Sequence, residues 1–178
     1  VAEIGGPEPI NEMKAFTAGE GRLNSAYNFD FLYAPSLTAE RVIRTADQWT
    51  QSDDEGWPSW AFSNHDAPRA VSRWAPQAHR EDMAKMSMML LLALRGNPII
   101  YQGEELGLPQ ANVARDRLRD PEAIQNWPKT LGRDGARTPF PWESGAPHAG
   151  FSNAEPWLPV DPVHAGLALN EQMGEQSM

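Results

Sequence analysis

Phe62-Ser63-Asn64-His65-Asp66 closes the apolar run Trp60-Ala61-Phe62 with an imidazole and a carboxylate side by side. The spacing predicts a strand from Ser59 to Ser63, which puts His65 and Asp66 at its C-terminal tip, where a barrel of parallel strands keeps its chemistry. A second acid, Glu3, lies in the strand-like start Val1-Ala2-Glu3-Ile4 that precedes Gly5-Gly6-Pro7. Two carboxylates meeting across one pocket form the arrangement that cleavage of a glycosidic bond requires.

Outward from these two tips, strand-like and helix-like stretches alternate, the pattern of stacked βα units around a parallel sheet. A helix is expected from about Ile10 to Ala18 and a short strand near Asn28 to Leu32. Thr38 is placed to cap a helix over Ala39 to Thr50, in which Val42, Ile43, Ala46 and Trp49 supply the apolar face. The stretch from Arg80 to Arg95 ends in Gly96-Asn97-Pro98, a set of helix stop signals. Its Met83, Met86, Met89, Leu90 and Leu94 are read as a core-packing stripe rather than a Met-rich groove. Ile99-Ile100-Tyr101 reads as a buried strand, its unbroken apolar character suiting a parallel sheet covered on both faces. From Leu108 to Asp161 periodicity fails, which predicts a loop of about 50 residues, long enough that it should shape a site or lack order. A last helix is expected from about Pro162, carrying Val163, Leu167 and Leu169 toward Met173.

Composition narrows the partners. The 178 residues carry a net charge of −9, whereas binding to nucleic acid or an anionic membrane surface draws on clustered Lys and Arg. The longest apolar run, Met88 to Leu94, is seven residues, against the roughly 20 that span a bilayer. No cysteine is present, which removes disulfides and fits a bacterial cytoplasm, and a periplasm as well.

Several segments in order, Ala2-Glu3-Ile4-Gly5, Tyr27-Asn28-Phe29-Asp30-Phe31, Phe62 to Asp66, Gly96 to Gly107 and Gly132 to Pro139, resemble the alpha-amylase superfamily of glycoside hydrolases. The likeness is to its alpha-glucosidase branch and covers nearly the whole chain. The resemblance implies an α/β fold corresponding to the C-terminal half of a TIM (β/α)8 barrel, from about strand 5 to helix 8. In that family the nucleophile is an aspartate after the fourth strand, in a Gly-Phe-Arg-x-Asp stretch that does not occur here. Residues 1–178 are accordingly expected to be a partial catalytic domain, with the N-terminal half barrel as missing partner and the C-terminal β domain also absent. Such a half leaves two strand edges open.

The resemblance also assigns the site. Glu3 is the expected acid/base, and Asp66 the carboxylate that stabilises an oxocarbenium-like transition state. His65 and Arg137 are the expected substrate-binding groups, with Arg69 facing the leaving-group side. The substrate is a small α-linked glucoside of maltose, isomaltose or sucrose type, with no metal or other cofactor. A glucosyl-transferring or isomerising relative stays open, since it shares the covalent intermediate, as does a non-catalytic amylase-like binding domain. Among the remaining residues, Trp57 and Trp142 are the weaker candidates for sugar platforms, and Asp53-Asp54-Glu55 reads as a solvated acidic turn rather than a calcium loop. His79, His148 and His164 suggest no metal set, and Glu104 and Glu105 are scaffold acids.

Overall fold

Four three-residue strands lie in one parallel sheet in chain order: β1 (Ala2–Ile4), β2 (Ala26–Asn28), β3 (Ser59–Ala61) and β4 (Asn97–Ile99). The computed structural model describes residues 1–50, 56–130 and 132–174. Glu3 is in register with Tyr27, Tyr27 with Ser59, and Ala61 with Ile99. Residues in register on parallel strands point to the same face, so these five share one face while Ala2, Ile4, Ala26 and Trp60 occupy the other.

That second face is covered by helices, namely α1 (Pro9–Thr17), α2 (Ala39–Thr50), α3 (Ala70–Trp74) and α4 (Arg80–Ala93). Ile4, Met13, Phe31, Trp49, Trp60, Phe62, Trp74 and Leu91 form the main core there. Its large rings meet edge to face, Phe31 with Phe62 at 5.1 Å and Phe62 with Trp74 at 5.2 Å. Each such buried side chain contributes about 1.5–3 kcal/mol. The other face carries only Tyr27, Leu32, Ala61 and Ala67, with Phe29 and Ile99 beside them. The bulk of the hydrophobic stabilisation therefore lies behind the sheet, and the polar residues of the front face are carried on a rigid back.

The helices expected from the sequence form, but two of their faces are rotated. Thr38 does cap α2, its Oγ1 accepting from Arg41 N at 3.2 Å. Ile43, however, is 59% exposed, and Thr45 is buried in its stead, donating to Asp30 Oδ2 at 2.7 Å. At 100° per residue, Val42, Thr45, Ala46 and Trp49 cluster on one side while Ile43 stands a full 100° from Val42. In α4 the same arithmetic removes Met86 and Met89 from the core: steps of three drift off the face by 60° each time, and Met89 is 72% exposed. Ala84, Ser87 and Leu91 form the buried side, with Met83, Leu90 and Leu94 packed beside it.

The strands are shorter or earlier than the letters suggest. β2 ends at Asn28, and the chain turns from Phe29, since Phe31 and Leu32 are used in the two cores rather than in a ladder. β3 stops at Ala61. β4 covers Asn97–Ile99 rather than Ile99–Tyr101, and Ile100 is exposed, because β4 pairs only with β3 among the described strands and one flank stays open. Gly96, at φ +143°, lets the chain enter β4 against Pro58; a Cβ there would stand 2.7 Å from the Pro58 carbonyl oxygen.

The aperiodic stretch after Leu108 is ordered in its described residues. It holds a short helix, α5 (Pro121–Asn126), and buries Val113, Leu118, Ala123 and Leu158 together. The expected final helix is two, α6 (Pro162–Ala165) and α7 (Leu169–Gln172). Val163 points outward and His164 inward, because the buried imidazole has polar partners: Nε2 lies 2.7 Å from the Pro109 carbonyl and Nδ1 3.3 Å from Thr138 Oγ1. Burial pushes the His164 imidazole below its usual range, so it anchors the loop as a neutral group.

Candidate active site

Asn64 decides where Asp66 points. Its Oδ1 accepts from Asp66 N at 2.9 Å and from Ala67 N at 2.8 Å, an Asx turn that bends the chain as soon as β3 ends. Ser63 Oγ accepts from Ala70 N at 2.9 Å and starts α3. Between these two anchors His65 and Asp66 project at the C-terminal end of the sheet, with His65 Nε2 3.5 Å from Asp66 Oδ2.

Two arginines of the long loop close over Asp66. Arg137 donates from Nη2 to Asp66 Oδ1 at 2.7 Å and from Nε to the His65 carbonyl at 2.8 Å, so one guanidinium grips both tip residues. Arg133 approaches Asp66 Oδ1 at 3.5 Å and donates to Asp120 Oδ1 at 2.9 Å. Asp120 is buried, also accepts the Arg133 backbone N–H at 2.7 Å, and is held well below the usual carboxylate range, at about 2, chiefly by the Arg133 guanidinium. Asp134, buried as well, accepts from the backbone N–H groups of Arg119 and Asp120. The loop wall is thus a chain of alternating charges with Asp66 at its exposed end.

Glu3 reaches the same end of the sheet from β1. It is exposed and accepts a hydrogen bond from the Tyr27 hydroxyl on the neighbouring strand. Tyr27 itself is buried. Its phenol is pushed up to about 12, first by burial and then by the bond to Glu3, with both Glu3 and Asp66 adding to the rise. The Tyr33 phenol is also raised, by burial and then by Asp66 and Glu3. Both phenols thus feel the charge of Glu3 and of Asp66.

Arg69 does not join this group. It is fully buried, donating from Nη1 to the Gln102 carbonyl at 2.8 Å and from Nη2 to the Ala136 carbonyl at 3.1 Å, with its guanidinium over the Tyr101 ring. The expectation of a leaving-group contact fails because backbone acceptors from two loops draw this cation inward, where it braces the wall that carries Arg137. Arg73 is a second buried brace, donating to the carbonyls of Phe31, Ala34, Phe62 and Pro68 and pushed down to about 10 by burial. Glu104 accepts from Tyr101 N at 2.9 Å and Glu105 from Gly103 N at 2.7 Å, scaffold contacts in the turn after β4. Trp142 lies against Phe140 at 4.5 Å, half-exposed, and Trp57 donates to Asn97 Oδ1. The Asp53-Asp54-Glu55 run lies outside the described residues. Among the described residues no group of three or more His, Cys, Asp or Glu is arranged to hold a metal, and no helix is long and apolar enough to cross a membrane. The sequence reading missed Asn64, Tyr27, Arg133 and Asp120; of these only Asn64, two residues before an aspartate at a strand end, carries a local signal.

Residues 15–177 match the family described as alpha amylase, catalytic domain. The chain belongs to the alpha-amylase family. Among its members, a probable alpha-glucosidase of Rhizobium meliloti is 44% identical over 177 residues, which cover 98% of this chain and 32% of that protein. A glucan 1,6-alpha-glucosidase of Streptococcus pneumoniae is 38% identical over 162 residues, 79% of this chain and 30% of that one. The crystal structure of an alpha-glucosyl transfer enzyme superposes with a TM-score of 0.87 at 42% identity, covering 96% of this chain and 31% of its own. Isomaltulose synthase from Erwinia rhapontici follows with a TM-score of 0.79 at 28% identity, covering 95% and 36%. This alpha-amylase family chain therefore spans about a third of the length of the relatives it matches.

Proposed function

We propose that this chain is the C-terminal half of the catalytic barrel of a retaining, exo-acting alpha-glucosidase that hydrolyses short α-linked glucosides. The observation that carries the reading is Asp66 just beyond β3 gripped by Arg137, with Glu3 on β1 of the same sheet tied to Tyr27. The nucleophile is supplied by the preceding half of the barrel, and the isolated chain is accordingly inactive.

Each of this chain's own groups then has a distinct task. Glu3 gives a proton to the glycosidic oxygen as the bond breaks and later takes one from the attacking water. Asp66 presents fixed negative charge to the sugar as positive charge develops on it. Arg137 holds Asp66 Oδ1 and the His65 carbonyl in fixed geometry, which spares the site reorganisation in the transition state. His65, half in solvent beside Asp66, donates to a sugar hydroxyl.

Glucosyl transfer is the second reading, favoured by the likeness to the alpha-glucosyl transfer enzyme. It uses the same two carboxylates and differs only in whether water or a sugar hydroxyl attacks the intermediate. The test is the whole protein carrying this chain, assayed on maltose, isomaltose and sucrose with products resolved by chromatography. Glu3→Gln should lower kcat by on the order of 10²–10⁴, and wild-type rates in that variant would remove Glu3 from the mechanism.

A further inference from the structure

A general acid must present one defined oxygen to the leaving group, and a glutamate side chain left to itself can swing. What limits it comes from the next strand. Tyr27 is in register with Glu3 and on the same face of the sheet, and its hydroxyl donates to Glu3 Oε1. The ring that carries this hydroxyl is buried. It is braced by Phe29, 6.3 Å away centre to centre, which in turn packs edge-on against Tyr33 at 5.4 Å. Asn64, the residue whose Oδ1 forms the Asp66 turn, brings its side chain near the same hydroxyl, and its buried Nδ2 has no hydrogen-bond partner.

We propose that Tyr27 is a positioning residue that fixes the Glu3 carboxyl through Oε1, leaves Oε2 to deliver the proton, and sets that carboxyl relative to the Asp66 turn. The inference rests on the reading of Glu3 as general acid. In the step it serves, the proton on Oε2 passes to the glycosidic oxygen while the bond from that oxygen to the anomeric carbon breaks. The departing sugar leaves as an alcohol, and the nucleophile in the preceding half of the barrel takes up the anomeric carbon. Because burial and the two carboxylates keep the Tyr27 phenol protonated up to about pH 12, it remains a donor throughout any pH at which the reaction runs. A phenylalanine at this position would keep the ring packing and lose only the donor, so the exchange is a clean probe.

The experiment uses the whole protein carrying this chain and two substrates: the disaccharide it cleaves fastest, whose leaving group needs a proton, and 4-nitrophenyl α-glucoside, whose leaving group needs little help. Tyr27→Phe should lower kcat on the disaccharide about tenfold with KM held within about twofold, and cost no more than about threefold on the aryl glucoside. In the Glu3→Gln background, adding Tyr27→Phe should change the disaccharide rate by less than about twofold, because the group it positions is already gone. Equal losses on both substrates, no loss on either, or losses that multiply in the double variant would each overturn the role of Tyr27 while leaving Glu3 as the acid. Wild-type rates for Glu3→Gln alone would instead remove the general-acid reading itself, and the proposal for Tyr27 with it.

Discussion

Asp66 follows β3 and Glu3 lies in β1 of the same sheet, but they are held by opposite means. Asp66 sits at the end of an ionic chain, Asp120 to Arg133 to Asp66, with Arg137 gripping it from the same loop. Glu3 is held instead by a neutral hydroxyl from the adjacent strand. Fixed cations around a carboxylate favour its charged form, and a site that must present permanent negative charge gains from that. A carboxyl that must give and regain a proton is better served by a neutral anchor that leaves one oxygen unclaimed. The contrast is in keeping with the different tasks proposed for the two acids.

The sharpest way to break this contrast is Asp66→Asn, which keeps the shape and removes the charge. In the whole protein kcat/KM should fall on the order of 10³-fold and, unlike Glu3→Gln, by a similar factor on disaccharide and aryl glucoside alike. Leaving-group dependence in Asp66→Asn would show that the two acids share one role. Next in size is the brace beneath the wall. Arg69→Met keeps much of the side-chain volume but leaves the Gln102 carbonyl without its Arg69 donor and the Ala136 carbonyl with Tyr101 in place of two donors, and should cost about 3 kcal/mol in denaturant unfolding. A loss within about 0.5 kcal/mol would mean that the wall stands without it. The smallest effect is a matter of pH. Asp120 is held at about 2 when folded against an ordinary 3.8. The folded carboxyl takes up its proton only at lower pH than the unfolded one, so its contribution is complete above 3.8 and is lost as pH falls through about 2. The difference in Tm between wild type and Asp120→Asn should therefore be constant above about pH 4 and shrink below it. A gap independent of pH would detach Asp120 from the chain of charges.

How much of this was legible in the letters follows from range. The Asp66 tip could be read because a strand and two chemical groups fall within eight residues, and the family segments fix their order; the Asn64 turn between them went unread. The cap at Thr38 is equally local. Glu3 and Tyr27 stand 24 residues apart and meet only because β1 and β2 pair in one particular register. Arg133 and Asp120 lie in a stretch with no period, where nothing in the spacing says which acid takes which base. Arg69 reads from the sequence as a contact on the leaving-group side because its partners are backbone carbonyls, and these have no letter of their own. The methionine stripe misled for a simpler reason: three-residue steps look like one face over a turn and leave it over two.

The carbonyls that Arg69 holds belong to two different stretches, Gln102 in the turn after β4 and Ala136 just before Arg137, and the Tyr101 hydroxyl reaches Ala136 as well. Such a knot makes the segment from 132 to 138 a poor cassette. A replacement grafted from another family member arrives with its own carbonyl spacing, and it will dock only if the residues at 69 and 101 travel with it. The hidden guanidinium thus marks where the seams of a productive chimera must not run.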